Sequence, residues 1–329
     1  MDEWVNPAYG LGKSRVCVYF VLFLTLTHAA IAGAGAPVTQ QYHSPLTQNV
    51  LYLDIAQAGA RIVCVGERGL IVYSDDGGNR WQRASVPAEI LLTAVFFIDA
   101  DTGWAVGHGG VILRSDDAAR TWRLQPGGGD NVPLFDVWFQ DRNRGMAVGA
   151  YGAYLSTDDG GKTWSAQTIL DTDYHLYAIM GLPSGELLIA GENATLLQSK
   201  DQGLTWHAIN TTEPASFFGL LSLAQNSLLL YGLQGVVLRS EDNGASWRRA
   251  ATPVSEGLQG AAVIDEHTAI VVGLGGTLLE TIDAGSTFTK LPYTGAAAIS
   301  QALSVSPAEL IITGAFGIRR ISLADFMKP

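Results

Sequence analysis

The chain has 329 residues, 47% of them apolar and 16% charged, with 38 glycines and a formal net charge of -11. That composition excludes a disordered chain and suits a large core cut by many tight turns. The acidic balance, uninterrupted by a Lys/Arg run or a basic helix, makes phosphate backbones and anionic lipid surfaces poor partners, so nucleic acid is not expected.

Residues 1–15 end in Lys13 and Arg15, and residues 16–32 are apolar and carry no formal charge. This is the layout of a signal peptide spanning 1–32, with Ala30-Ile31-Ala32 placing cleavage before Gly33. Ala34-Gly35-Ala36 is a second cleavage option, weakened by Pro37. An uncleaved anchor is the alternative, because 17 residues reach the lower limit of a membrane span. Either layout puts residues 33–329 outside the cytoplasm, with the periplasm as the expected location. Cys17 falls in the leader and leaves Cys64 alone in the strand-like run Arg61-Ile-Val-Cys-Val-Gly66, which predicts a small buried core residue and no disulfide framework.

From about residue 37 the pattern is short strands and turn glycines, with no sustained amphipathic helical period. A first inner strand is expected near Val50–Ile55. The second unit reads as Leu92–Ile98, Gly103–Gly107, Val111–Arg114 and Trp122–Leu124. A Gly-x-x-Gly turn between second and third strands begins at Gly66, Gly107, Gly149, Gly191, Gly232, Gly273 and Gly314, with Ala194 in place of the second glycine in the fourth unit. Seven units follow from these seven turns. Their glycines are expected to supply the positive φ of a two-residue hairpin. None opens a helix, so a phosphate-binding loop is not indicated.

A second motif, Ser/Thr-x-Asp-x-Gly-x-x-Trp, lies between third and fourth strands. Its aspartates are Asp76, Asp117, Asp159, Asp201, Asp242 and Asp283. Its aromatic residues are Trp81, Trp122, Trp164, Trp206, Trp247 and Phe288, spaced by 41, 42, 42, 41 and 41 residues. That period belongs to propeller blades or solenoid units. The reading is an all-β, seven-bladed β-propeller of four-stranded antiparallel blades. The seventh unit lacks its box: Ala324, Phe326 and Pro329 stand where Asp, Gly and Trp are due. The segment from Pro37 to Ser44, with Tyr42 near the aromatic position, is expected to supply the missing outer strand and close the ring.

Each box aspartate is expected to accept backbone N–H groups of its own turn, and each Trp to wedge between blades. Six copies round a ring do not converge on one substrate, so these roles are structural. Ala119 occupies the glycine position of the second box and should cost about 1 kcal/mol if held at positive φ.

The runs Ala147-Val-Gly-Ala-Tyr-Gly-Ala-Tyr-Leu-Ser-Thr-Asp-Asp-Gly-Gly-Lys-Thr-Trp164 and Val272-Gly-Leu-Gly-Gly-Thr-Leu-Leu-Glu-Thr-Ile-Asp-Ala-Gly-Ser286 resemble the repeat of the photosystem II assembly and stability factor family. The resemblance covers about residues 37–329. It implies a non-catalytic scaffold that helps membrane-protein subunits assemble through a basic surface patch. Arg114 and Arg239 hold equivalent places before the box hydroxyl, whereas Tyr73, Ser156, Gln198, Glu280 and Ile321 fill that place elsewhere, so the sequence supplies no continuous arginine surface.

The other class with such boxes is glycoside hydrolases, sialidase-like or glucanase-like. A sialidase needs an arginine cluster, a Tyr/Glu pair and an acid/base Asp held together. No such set is legible here, and no catalytic residue is assigned. The six histidines are scattered without ligand spacing, so neither a metal nor a cofactor is expected. A binding site is expected on the face carrying the Gly-x-x-Gly turns, with Glu67, Arg68, His108, Tyr151, Glu192, Asn193, Gln234 and Phe316 as candidates. The mixture of acidic, basic, amide and aromatic groups suits a protein partner, a membrane protein or complex, bound by a monomeric propeller.

Overall fold

The computed structural model describes residues 46–127, 131–223 and 226–326. The expected leader and the closing segment from Pro37 to Ser44 lie outside the described residues. Seven antiparallel sheets follow one another in sequence. Their inner strands are Tyr52–Ala58, Leu92–Phe97, Leu134–Phe139, Leu176–Gly181, Phe217–Ser222, Leu258–Val263 and Ile299–Ser306. Each inner strand packs on the next and the seventh packs on the first, so the sheets are the blades of a closed seven-bladed propeller. The first strand starts at Tyr52 and runs to Ala58, later than the hydrophobic run from Val50 indicated.

Second strands such as Gly103–Gly107 and Leu187–Gly191 are buried along their whole length. They read as continuous apolar runs because neighbouring blades cover both of their faces. The box aromatics fill the seams between blades. Trp81 packs among Ile62, Cys64 and Val72 of blade 1 and Ile311 and Ile318 of blade 7. Trp122 lies in the seam of blades 1 and 2, Trp164 in that of 2 and 3, Trp206 in that of 3 and 4. Trp247 and Phe288 do the same for blades 4/5 and 5/6. Taking about 200 Å² of apolar area per indole at about 25 cal/mol per Å², the buried wedges Trp81 and Trp122 each contribute up to about 5 kcal/mol of gross burial, and the partly buried Trp164, Trp206 and Trp247 less. Cys64 is a free, fully buried thiol in the same core.

Six blades have four strands, and the seventh has three among the described residues. Its third strand, Gly317–Ser322, meets the start of the chain. Gln48 bridges Gly317, and the Ile318 N–H donates to the Thr47 carbonyl at 2.9 Å. The same junction in blade 1 is made by its own connector, where the Gly69 N–H donates to the Ile90 carbonyl at 2.7 Å. Thr47 and Gln48 therefore meet the Gly314–Gly317 turn of blade 7 as a connector leading into the inner strand of blade 1.

The first glycine of the Gly-x-x-Gly turn is not needed for positive φ, contrary to the hairpin expectation. Gly66 has φ -172, extended backbone open to any residue. A Cβ on it would collide with the Leu51 carbonyl oxygen, and Gly107, Gly149 and Gly232 face Leu91, Pro133 and Ser216 in the same way. What the position requires is room for the chain entering the inner strand. Positive φ falls instead on the last two residues of the turn, Arg68 at 53° and Gly69 at 67° in blade 1, and Asn193 at 53° and Ala194 at 61° in blade 4. Among the described turns between second and third strands, only that of blade 7 is a two-residue hairpin, with Gly314 paired to Gly317.

Candidate functional site

The two repeated motifs occupy opposite ends of the ring. Each box sits beside the loop between inner and second strands, as the Ala118 N–H to Asp101 carbonyl bond of blade 2 shows. The Gly-x-x-Gly turns sit beside the connectors that enter the inner strands, as the His108 N–H to Leu91 carbonyl bond shows.

Within a box the hydrogen bonds close on themselves. In blade 3 the Thr157 hydroxyl donates to Asp159 Oδ1 at 2.9 Å and accepts from the Gly161 N–H at 2.9 Å. Asp159 Oδ1 also accepts the Thr163 N–H at 2.9 Å, and its Oδ2 accepts the Thr163 hydroxyl at 2.6 Å. The pattern recurs around Asp117, Asp201, Asp242 and Asp283 with Thr121, Thr205, Ser246 and Thr287. Asp76 instead accepts the N–H groups of Asn79 and Arg80. Donation from the Thr163 and Thr205 hydroxyls, followed by backbone N–H groups, holds the Asp159 and Asp201 carboxyls down to about 2. These aspartates are charged turn clamps, one in each of blades 1 to 6.

Arginine, too, serves the seams. Arg114, 17% exposed, donates to the Gly160 carbonyl in the box of the next blade at 2.7 Å and lies over the Trp104 ring. Arg239 reaches the Ala284 carbonyl at 2.7 Å, Arg61 the Ala118 carbonyl at 2.5 Å, and Arg320 the Gly77 carbonyl at 3.1 Å. Each guanidinium ties one blade to the box of its successor.

A second kind of clamp lies at the inner strands, which all carry a β-bulge near their start. The residue after the bulge is Asp54 in blade 1, Asp136 in blade 3 and Gln301 in blade 7. Asp54 accepts the Ile55 N–H at 2.9 Å and, across the seam, the Val95 N–H at 2.8 Å. Asp136 accepts the Val137 and Ile179 N–H groups, each at 2.8 Å. Gln301 Oε1 accepts the Ala261 and Ala302 N–H groups at 2.8 and 3.0 Å. Desolvation pushes the Asp54 carboxyl up to about 6 and Asp136 up to about 7, the charge of Asp54 adding to the latter. Sequence reading missed this trio because neither aspartate belongs to a repeated motif.

The bulged residues themselves are Leu53, Thr93, Phe135, Tyr177, Phe218, Gln259 and Ser300. A bulge turns one side chain out of the regular alternation. In blades 3, 4 and 5 that side chain is aromatic, and the three rings form a chain. Phe135 lies 5.7 Å from Tyr177, and Tyr177 lies 5.1 Å from Phe218. His175 joins the arc, 5.9 Å from Phe135 and 5.1 Å from Tyr151.

Among the residues picked from sequence, the structure brings Tyr151 and Glu192 together through His175. His175 Nδ1 accepts the Tyr151 backbone N–H at 3.1 Å, while the His175 backbone N–H donates to Glu192 Oε2 at 3.1 Å. Asn193 donates its N–H to Ser216 Oγ at 3.2 Å on the neighbouring connector. Phe316 carries the Arg319 guanidinium 4.5 Å above its ring. Glu67, Arg68, His108 and Gln234 stand on the separate turns of blades 1, 2 and 5. Outside Tyr151 opens a groove of about 950 Å³, walled by Ile90, Val132, Leu155, Leu170 and Asp173. The signal for the arc was present as one column, residue 53 and its counterparts, that is aromatic in three consecutive units.

Residues 118–261 match the family described as photosynthesis system II assembly factor YCF48. The chain is similar in structure to YCF48 bound to a D1 peptide, at 19% identity and TM-score 0.70 over 84% of this chain and 93% of that one. It is similar to YCF48 from Cyanidioschyzon merolae at 17% identity and TM-score 0.71, covering 87% and 98%. The GH74 xyloglucanase from Xanthomonas campestris matches at 14% identity and TM-score 0.69, covering 88% of this chain and 54% of that one. No curated protein matches the chain. At these identities the structural likeness establishes the propeller fold, and the family match supports the resemblance carried by the boxes.

Proposed function

We propose that this chain, a YCF48-like propeller, is an exported, non-catalytic scaffold that binds a protein subunit of a membrane complex during its assembly or maintenance. One observation carries the reading: the repeated or buried carboxylates and arginines of the ring are engaged in joining turns and blades, while the variable aromatic and acidic side chains gather at the Gly-x-x-Gly end. A catalytic site needs convergent groups free to meet a substrate. A docking face needs varied side chains on a rigid frame. The D1 peptide held by one structural relative is consistent with a protein ligand.

The test is cross-linking of the tagged, full-length protein in native membranes, with the linked residues mapped by mass spectrometry. A membrane-complex subunit linked to the Gly-x-x-Gly end is the expected result. Processing at the Ala32–Gly33 bond, read by N-terminal sequencing of the purified protein, tests export.

The second reading is a glycoside hydrolase. It draws on the GH74 likeness and on Asp54 and Asp136, whose raised acidity range is what an acid/base catalyst needs. Both oxygens of each carboxylate, however, already accept backbone N–H groups. Hydrolysis of xyloglucan, a β-glucan or a sialoside that is lost in Asp136→Asn would overturn the scaffold reading.

A further inference from the structure

We infer that the bulge-borne aromatic arc and the groove beside it form one track for an extended, cationic peptide segment that carries an aromatic or branched apolar anchor. This rests on the scaffold reading and names the chemistry of its partner. Phe135, Tyr177 and Phe218 come from consecutive inner strands, with His175 against the first two, and Tyr151 stands at the junction of arc and groove. A ligand lying from arc to groove crosses several blades, which suits an extended chain better than a compact small molecule.

Tyr151 is 46% exposed. It occupies the left-handed position of its turn, φ 55, held by Arg68, Asn193 and Gln234 in blades 1, 4 and 5 and by Gly109 and Gly275 in blades 2 and 6. This is the variable residue of the turn, and among these six blades it is aromatic only in blade 3.

Charge then selects the occupant. The connectors and turns that surround the arc, residues 149–153, 167–175, 191–195, 209–216, 232–236 and 250–257, contain Asp171, Asp173, Glu192, Glu213 and Glu256 and no Lys or Arg. Glu213 is paired with Arg249 at 2.8 Å. Asp171 and Asp173 are exposed at the lip of the groove. Ring faces attract guanidinium and ammonium groups as well as apolar side chains, so aromatic arc and acidic rim favour the same ligand. An acidic segment would meet like charge at Asp171 and Asp173 on the lip of the groove and at Glu192 beside the arc.

The experiment is fluorescence anisotropy with the full chain and a labelled peptide of about 12 residues containing Arg, Ser and Phe, long enough to span arc and groove. Its counterparts replace Arg by Glu, or Phe by Ser. The cationic, Phe-containing peptide is expected to bind, and binding should weaken as salt shortens the Debye length from about 10 Å at 0.1 M to about 3 Å at 1 M. Tyr177→Ser and the pair Asp171→Asn/Asp173→Asn should each weaken binding about tenfold or more. Tyr151→Gly, safe for folding because two blades already place glycine there, should weaken it as well. Glu266→Gln, at the box end, should leave it unchanged. Equal binding of the Glu peptide, indifference to the Tyr151 and Asp171/Asp173 variants, or an equal effect of Glu266→Gln overturns the inference. A membrane subunit cross-linked elsewhere on the ring would retain the scaffold reading and refute this track; peptide binding without any membrane partner would do the reverse.

Discussion

Raising the pH from 5 to 8 should destabilise this propeller, because two carboxyls clamp blades from positions where charge is costly. In the unfolded chain both ionise near 3.8; in the folded ring Asp54 ionises near 6 and Asp136 near 7. The folded state thus holds these protons more tightly. The resulting stability is complete below about pH 4 and is lost as pH rises through 6 and 7. At about 1.4 kcal/mol per pH unit of unequal proton binding, the change from pH 5 to 8 removes about 1.5 kcal/mol through Asp54 and about 2.5 through Asp136, about 4 in all. His108, whose protonated form is disfavoured by burial, acts in the opposite sense below about pH 6.5. The diagnostic quantity is therefore the difference between wild type and Asp136→Asn, measured by urea unfolding at pH 5, 6, 7 and 8. Gln301 shows that an amide oxygen can accept two N–H groups at this position of the ring. The variant should lose stability relative to wild type at pH 5 and recover about 2.5 kcal/mol of that difference by pH 8. A difference that is flat across this range would refute the assignment of the buried proton to Asp136.

Asp159→Ala removes the acceptor of one N–H and two hydroxyl donors, so it should cost about 1–3 kcal/mol in urea unfolding and leave peptide binding at the opposite end unchanged. Arg114→Met breaks a hydrogen bond to the next blade and an ion pair with Asp116; a loss of about 1–3 kcal/mol, with cross-linking to the partner retained, is expected from a seam residue, and loss of partner with stability intact would restore a surface role. Gly107→Ala places a methyl against the Leu91 carbonyl and should lower stability by about 1–3 kcal/mol although its φ suits alanine; circular-dichroism melting that shows no change would return the glycine to a purely conformational role.

The repeat made the fold legible. Seven Gly-x-x-Gly turns counted the blades, and the box aromatics marked the seams, because every blade solves the same packing problem with the same residues. Less was legible where one residue type serves different physics. The glycines looked alike, yet Gly66 is needed for the approach of Leu51, and Gly69 for a φ of 67°. Arg114 and Arg239 looked like surface positions because local sequence shows only their own strand; the carbonyls they bind lie 46 and 45 residues further on.

The site was less legible still, since it is defined by departures from the repeat. Tyr151 and Glu192 were visible as variable turn residues, whereas His175, which joins them, sits in a connector with no motif. Phe135, Tyr177 and Phe218 occupy what reads as the buried half of an inner strand, and only the bulge turns them together. The same bulge sets Asp54 and Asp136 across the seam, where the adjoining blade supplies an N–H. A single backbone irregularity, repeated seven times, thus serves two ends. Where the residue after it is acidic or an amide it ties blades together, and where the bulged residue is aromatic it builds a surface. Substituting the bulged residue should therefore alter binding with little effect on the pH dependence, and substituting the residue after it should do the opposite.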